Sequence, residues 1–244
     1  MNLLAFDTST DQLSIAVTRR GSAQVWTYTG PGGAQASSHL IPEIMALLAQ
    51  AELSLSQLDA IAFGAGPGSF TGLRSACAVA QGLGYGANVP LLPVDTLLAV
   101  AEQARGTQTD PAAPLNLLAV LDARMDEVYS ARCIWQGGQW QRPADWEVGK
   151  PETLTLEPGW QLAGNAFAAY GPRLPQGPQI TALPTASAML RLAPALLAAG
   201  LAVPAAQALP RYIRDKVAQT TAERAAIKAA AVQATAADMP QVRA

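Results

Sequence analysis

Short apolar runs recur along this chain, each closed by an acid, a glycine or a small polar residue. The first, Asn2-Leu3-Leu4-Ala5-Phe6-Asp7, reads as a strand ending on a carboxylate. Thr8-Ser9-Thr10-Asp11 turns the chain and Leu13-Ser14-Ile15-Ala16-Val17 resumes as a second strand, so the pair predicts a hairpin. The pattern returns in Asn116-Leu117-Leu118-Ala119-Val120-Leu121-Asp122, with Ala123 to Asp126 as the turn and Glu127 to Arg132 as the second strand. The shared Asn-Leu-Leu-Ala string, acid, turn and second strand predict two lobes, each opened by a hairpin-led sheet.

Between the two hairpins the apolar period changes. Leu40, Ile44, Leu47, Leu48 and Ala51 follow a helical stripe over 40–51, with Pro42 placed in the first turn. Ile41, Met45 and Ala49 add a second apolar strip, so this helix is apolar round much of its circumference. A strand at Ile61-Ala62-Phe63, a glycine-rich loop and an apolar helix from Leu73 to Leu83 follow, the last carrying Ala76, Cys77, Ala78, Val79 and Ala80. Helices so poor in polar faces are buried in a core or face a partner chain. Val89 to Val94 predicts a strand and Thr96 to Ala104 a helix, and Asp110-Pro111-Ala112-Ala113-Pro114 marks the boundary between lobes. Residues 135–160 read as loop-rich, with Trp135, Trp140, Trp146 and Trp160 among glycines and prolines. Those indoles either form a base-stacking surface or pack a small lobe, and the scarcity of nearby cations favours packing. Gly159 to Tyr170 predicts strand plus helix, and Ala186 to Leu197 a helix. The implied domains are 1–109, 110–218 with its last segment packing back on the first, and an Ala-rich tail, 219–244, expected to fray.

Composition narrows the function classes. With 244 residues, 50% of them hydrophobic and 14% charged, the chain is globular and large enough for a substantial core. A net charge of −2 leaves no global basic field for nucleic acid, so any service to RNA is expected through a partner. No apolar run reaches the roughly 18 residues of a membrane span, and the N-terminus lacks the basic region of a signal peptide. Cys77 and Cys133 lie in separate apolar segments, as buried thiols do in a reducing compartment, which predicts a cytoplasmic protein without membrane contact.

The richest local chemistry is Gly64-Ala65-Gly66-Pro67-Gly68-Ser69-Phe70-Thr71-Gly72-Leu73-Arg74, between a strand and a helix. Such a loop holds an anion on the helix's free N–H groups, or its glycines serve only a tight turn. It is not a P-loop, since Leu73-Arg74 stand where that motif needs Lys and Ser/Thr. His39, the single histidine, has no nucleophile motif to serve and reads as part of a helix start, with Ser37 and Ser38 supplying cap hydroxyls. Asp7, Asp11, Asp122 and Asp126 flank turns, where aspartate commonly bonds local backbone N–H groups.

Several blocks together carry a resemblance. They are Phe6-Asp7-Thr8-Ser9-Thr10, Ser38 to Ile44, Gly66 to Arg74, Asp122 to Tyr129, Gly164-Asn165-Ala166, and Pro210 to Ala218, in that order from residue 3 to about 218. In them the chain resembles the bacterial TsaB (YeaZ) family, and Gly-Pro-Gly-Ser-Phe-Thr-Gly-Leu-Arg is close to diagnostic by itself. The resemblance implies an α/β protein of the ASKHA (actin/hexokinase-like) fold, with two duplicated lobes and mixed sheets. It implies a non-catalytic scaffold in synthesis of threonylcarbamoyladenosine at tRNA position 37, bound to its catalytic paralogue TsaD and to the small ATPase TsaE. Contact with tRNA would then be indirect, and the threonylcarbamoyl-adenylate would come from a separate synthase. The partner interface is expected at Leu40, Ile41, Met45, Arg74, Ala76, Cys77 and Ala80, a surface that could close a homodimer when TsaD is absent. A remnant nucleotide or anion loop is expected at Asp7, Thr8, Ser9, Gly66, Gly68, Ser69 and Thr71. No cofactor of its own is implied, with ATP or ADP bound in, or at the interface of, the complex.

TsaD-like enzymes hold a metal on two histidines spaced i, i+4 on one helical face. Thr96 and Val100 occupy those positions here, so neither a catalytic residue nor a metal site is expected. Two rivals stand beside this reading. One is a freestanding ASKHA-type nucleotide-binding enzyme or a glycoprotease-like peptidase. The other is a direct RNA-binding module using either Arg19-Arg20 or Arg211, Arg214 and Lys216, charges too sparse to act without help.

Overall fold

The computed structural model describes residues 1–141 and 145–213. The tail 219–244, and Arg214 and Lys216, lie outside the described residues. Strands β1 (Leu3–Asp7), β2 (Gln12–Thr18) and β3 (Val25–Pro31), helix α1 (Ala36–Gln50), strand β4 (Ala60–Gly66), helix α2 (Phe70–Ala87) and strand β5 (Leu91–Asp95) build the first sheet and its cover. Helix α3 (Thr96–Gly106) leads to β6 (Leu115–Arg124), β7 (Glu127–Gln136), β8 (Gln139–Gln141), β9 (Glu147–Gly149) and β10 (Trp160–Gly164). A short helix α4 (Phe167–Tyr170), strand β11 (Gln179–Thr181) and helix α5 (Ala186–Ala198) complete the second half.

The first sheet runs β3-β2-β1-β4-β5, antiparallel among its first three strands and parallel from β1 through β4 to β5. Read from its far edge the second runs β8-β7-β6-β10-β11 with the same change from antiparallel to parallel after the third strand, and β9 pairs with β7. The duplicated hairpins therefore open two copies of one plan, and the architecture is the actin/hexokinase-like pair of α/β lobes.

Strand β1 lies mid-sheet, which is why it reads as unbroken apolar sequence instead of alternation. Leu4 and Phe6 face a core shared with Ile15, Phe63, Ile44 and Leu48 beneath α1 and α2. Leu3 and Ala5 face the opposite core, where Ala60, Ala62, Leu97, Val100 and Met189 meet Leu117, Ala119 and Ala163 of the second sheet. That core is continuous between the two sheets, with α3 and α5 inside it. Beyond α5 the chain returns to the first sheet, where Val203 exchanges backbone bonds with Leu91 at 2.8 and 2.9 Å.

Several local expectations need correction. Helix α1 begins at Ala36, four residues early, with Gln35 as an N-cap whose side chain makes no bond. The Ser37 and Ser38 hydroxyls donate to the carbonyls of Ala34 and Gln35 at 3.2 and 2.8 Å, so they bond backward and do not cap N–H groups. Pro42 consequently sits inside the helix, where the Ser38 carbonyl lacks an i+4 donor. Within 135–160, β8 and β9 replace part of the expected loop, and β3 is an edge strand absent from the sequence reading.

Candidate functional site

The β1–β2 turn and the glycine loop meet face to face. Ser69 caps α2, its Oγ accepting from Gly72 N at 3.4 Å, while its own N–H donates to Ser9 O at 2.7 Å. Thr8 Oγ1 donates to Gly72 O at 2.7 Å. A Cβ at Gly68 would start 2.6 Å from Ser9 Cβ, and one at Gly72 only 1.9 Å from Thr8 O. These two glycines are required because two stretches of backbone touch there. Gly66, at φ +123°, ends β4 with its Cα against the carbonyl of Arg211, and the Arg211 N–H donates to Ala65 O at 2.7 Å. Thr71 and Ser69 are exposed, whereas Asp7, Thr8 and Ser9 are buried.

The expected anion loop is thus brought together, but its turn and loop fill with each other the space a phosphate between them would need. Asp7 is sealed beneath them, and burial pushes its carboxyl up to about 7 against two lowering bonds from Ser9.

The interface expectation divides. Ile41 and Met45 stand on the outer face of α1, 47% and 48% exposed, and Tyr85 on α2 is 81% exposed. Leu40, Ala76, Cys77 and Ala80 are corrected: all four are buried in the first lobe's own core, because they lie on the stripes that face the sheet. Arg74 is exposed at the start of α2, its guanidinium 3.8 Å over the Phe70 ring and its Nε donating to Tyr212 Oη at 3.0 Å. Phe70 and Tyr212 meet tilted at 5.2 Å, and the carbonyl of the buried Ala208 accepts from Gln81 Nε2 at 2.9 Å, so residues 208–212 run along α2 as a strap. The sequence reading sent the last segment of 110–218 back to the first lobe but did not place it on α2, because the strap's bonds join residues more than 120 positions apart.

The tryptophans are spent on packing. Trp135 and Trp140 meet edge to face at 5.4 Å, with Arg105 4.1 Å from the Trp135 ring. Trp140 Nε1 donates to Glu102 at 2.9 Å, Trp146 Nε1 donates to Asp95, and Arg132 lies over Trp160. Glu102 is buried between α3 and α5 and also receives Arg105 and Arg191, each at 2.7 Å. Burial pushes its carboxyl up, but the bonds from Arg105, Arg191 and Trp140 outweigh that and hold it below the usual range. Burial raises the Cys133 thiol to about 12, so it is an inert core thiol.

Across the gap between lobes the two hairpin turns touch, Arg124 pairing with Asp11 at 2.6 Å and with Asp122 at 3.1 Å. No helix among the described residues is long and apolar enough to cross a membrane, and no cluster of three metal-ligating side chains occurs among them.

A family model described as TsaD, tRNA N6-adenosine threonylcarbamoyltransferase, matches residues 32–244. The tRNA threonylcarbamoyladenosine biosynthesis protein TsaB of Haemophilus influenzae is 34% identical over 89% of this chain and 95% of its own. The Escherichia coli protein of the same name is 32% identical over 89% and 96%. Among solved structures, YeaZ from Pseudomonas aeruginosa superposes with a TM-score of 0.78 at 37% identity, covering 87% of this chain and 99% of that one.

Proposed function

We propose a non-catalytic role for this chain, which belongs to the TsaB (YeaZ) family of tRNA threonylcarbamoyladenosine biosynthesis proteins. It takes part in that modification, and in our reading it does so as a scaffold that binds the TsaD transferase together with TsaE. The observation that carries the reading is the loss of the histidine pair. The two positions hold Thr96 and Val100, both fully buried at the start of α3, with the Thr96 hydroxyl donating to Pro67 O. The one histidine of the whole chain, His39, stands exposed on α1, so a two-histidine metal site cannot be assembled from one copy.

What this chain's own residues do is position. Helices α1 and α2 lie side by side on one face of the first sheet and turn Ile41, Met45 and Tyr85 outward. Apolar groups of that size on neighbouring helices support a helix-on-helix contact with TsaD, or with a second copy in its absence. The strap and the Phe70–Arg74–Tyr212 stack hold the first turn of α2 in a fixed orientation beside that face. The working protein is cytoplasmic, and any ATP or ADP belongs to the complex. A reconstitution tests this: the chain alone should transfer no threonylcarbamoyl group to tRNA, and adding it to TsaD and TsaE should raise the rate manyfold. Transfer by the purified chain alone would contradict the proposal.

A further inference from the structure

Asp7 carries a bonding pattern that an ionised carboxylate does not favour. Its Oδ1 accepts from the Ser9 N–H at 2.9 Å and from Ser9 Oγ at 2.7 Å. Its Oδ2 is buried, has no hydrogen-bond partner, and is shut against Gly64, where a Cβ would start 1.9 Å away. A carboxylate shares its charge over both oxygens and needs donors on each, and one buried without them is costly. In a carboxylic acid the carbonyl oxygen accepts both Ser9 bonds, and a neutral hydroxyl left without an acceptor costs far less to bury than an unpaired share of a carboxylate's charge. The one-sided arrangement at Asp7 is that of the acid.

The surroundings agree. The cross-strand partner on β2 is Ser14, whose Oγ is spent accepting from Ala186 N at 2.9 Å. Strand β4 presents Gly64, and α5 brings Met189, whose Cε lies 3.3 Å from the same Cβ position. None of these can ionise. The nearest turns carry Asp11, Asp122 and Arg124, which are paired among themselves. Burial is the largest influence on the carboxyl, and the only opposing ones are the two bonds from Ser9.

Ser9 is also where the start of α2 is seated, through Ser69 N–H to Ser9 O and the adjoining Thr8–Gly72 bond. We propose that Asp7 is a proton-operated latch. As a neutral acid it fixes Ser9 and the seat of α2's first turn, and when ionised it draws toward water and loosens that seat. The sign follows from where the proton binds more tightly. The folded carboxyl titrates near 7 and the unfolded one near 3.8. Its contribution to stability is therefore full below the unfolded value and is lost as pH rises through 7.

Melting the full chain and Asp7→Asn between pH 5 and 8 reads this directly. Asparagine keeps the acceptor and cannot ionise, so the difference between the curves isolates Asp7. The wild type should lose on the order of 5 °C relative to the variant across that range; a constant difference would overturn the proposal. Should the variant fail to fold, carbon NMR of aspartate-labelled wild type serves instead. One carboxyl is expected to titrate near 7, and titration of every aspartate below 5 would refute it. For the latch itself, amide exchange over residues 66–74, corrected for intrinsic rates, should quicken from pH 6 to 8 in the wild type. Unchanged protection would show that Asp7 titrates without moving the helix seat.

Discussion

The first sheet is covered on both faces by long helices, α1 and α2 on one side and α3 and α5 on the other. The second shares α3 and α5 on its inner face, but outside it has only the four-residue α4 and loops over a small cluster around Val120, Leu162 and Leu174. One strand plan is thus finished in two ways. The first lobe uses it to present two neighbouring helices, and the second uses it to back the shared core. The paired acids diverge likewise. Asp7 is sealed with one oxygen unsatisfied, whereas Asp122 accepts from Arg124 N at 2.7 Å and Tyr170 Oη at 2.8 Å and pairs with the Arg124 guanidinium. Duplication has preserved the frame, and the turn chemistry has drifted apart.

The same contrast can be broken at the glycines that end the equivalent strands β4 and β10. Gly66 and Gly164 both have positive φ, +123° and +152°. A Cβ at Gly164 would start 1.7 Å from Val120 O, a carbonyl locked in β6 at mid-sheet, whereas at Gly66 it would meet Arg211 O of the strap at 2.4 Å. Gly164→Ala should therefore cost about 3 kcal/mol or more in denaturant unfolding. Gly66→Ala should cost about 1–2 kcal/mol, because the strap can move aside. Equal losses would mean that the strap is as rigid as the sheet.

A smaller effect is expected where the two hairpins touch. Arg124 and Asp11 are exposed, so Arg124→Ala should change stability by less than about 1 kcal/mol, and less again in high salt. A larger loss would show that the turns, and not the continuous core, hold the lobes together.

Much of the frame is visible in the chain itself. Strands β1, β4 and β6 show as apolar runs because they are covered on both faces. Strand β3 carried a signal that the sequence reading passed over: Val25-Trp26-Thr27-Tyr28 alternates, with Trp26 and Tyr28 packed on the core beneath α1. The start of α1 carried none, since no side chain caps it and its serines bond backward. Which residues of α1 and α2 face outward needed the sheet's position, and for that reason Leu40, Ala76, Cys77 and Ala80 looked available when they are core. The glycine loop was conspicuous, but its contact with Thr8 and Ser9 joins residues some 60 positions apart and leaves no local mark.

Binding of TsaD to Ile41→Arg and Met45→Arg, each confirmed as folded by its melting curve, tests the scaffold reading most directly. Both side chains are half exposed, so the variants should melt like the wild type. Titration calorimetry should show TsaD affinity reduced at least a hundredfold, about 3 kcal/mol, because each arginine would be buried unpaired in the contact. Wild-type affinity in both variants would contradict the account and move the partner surface away from the outer face of α1.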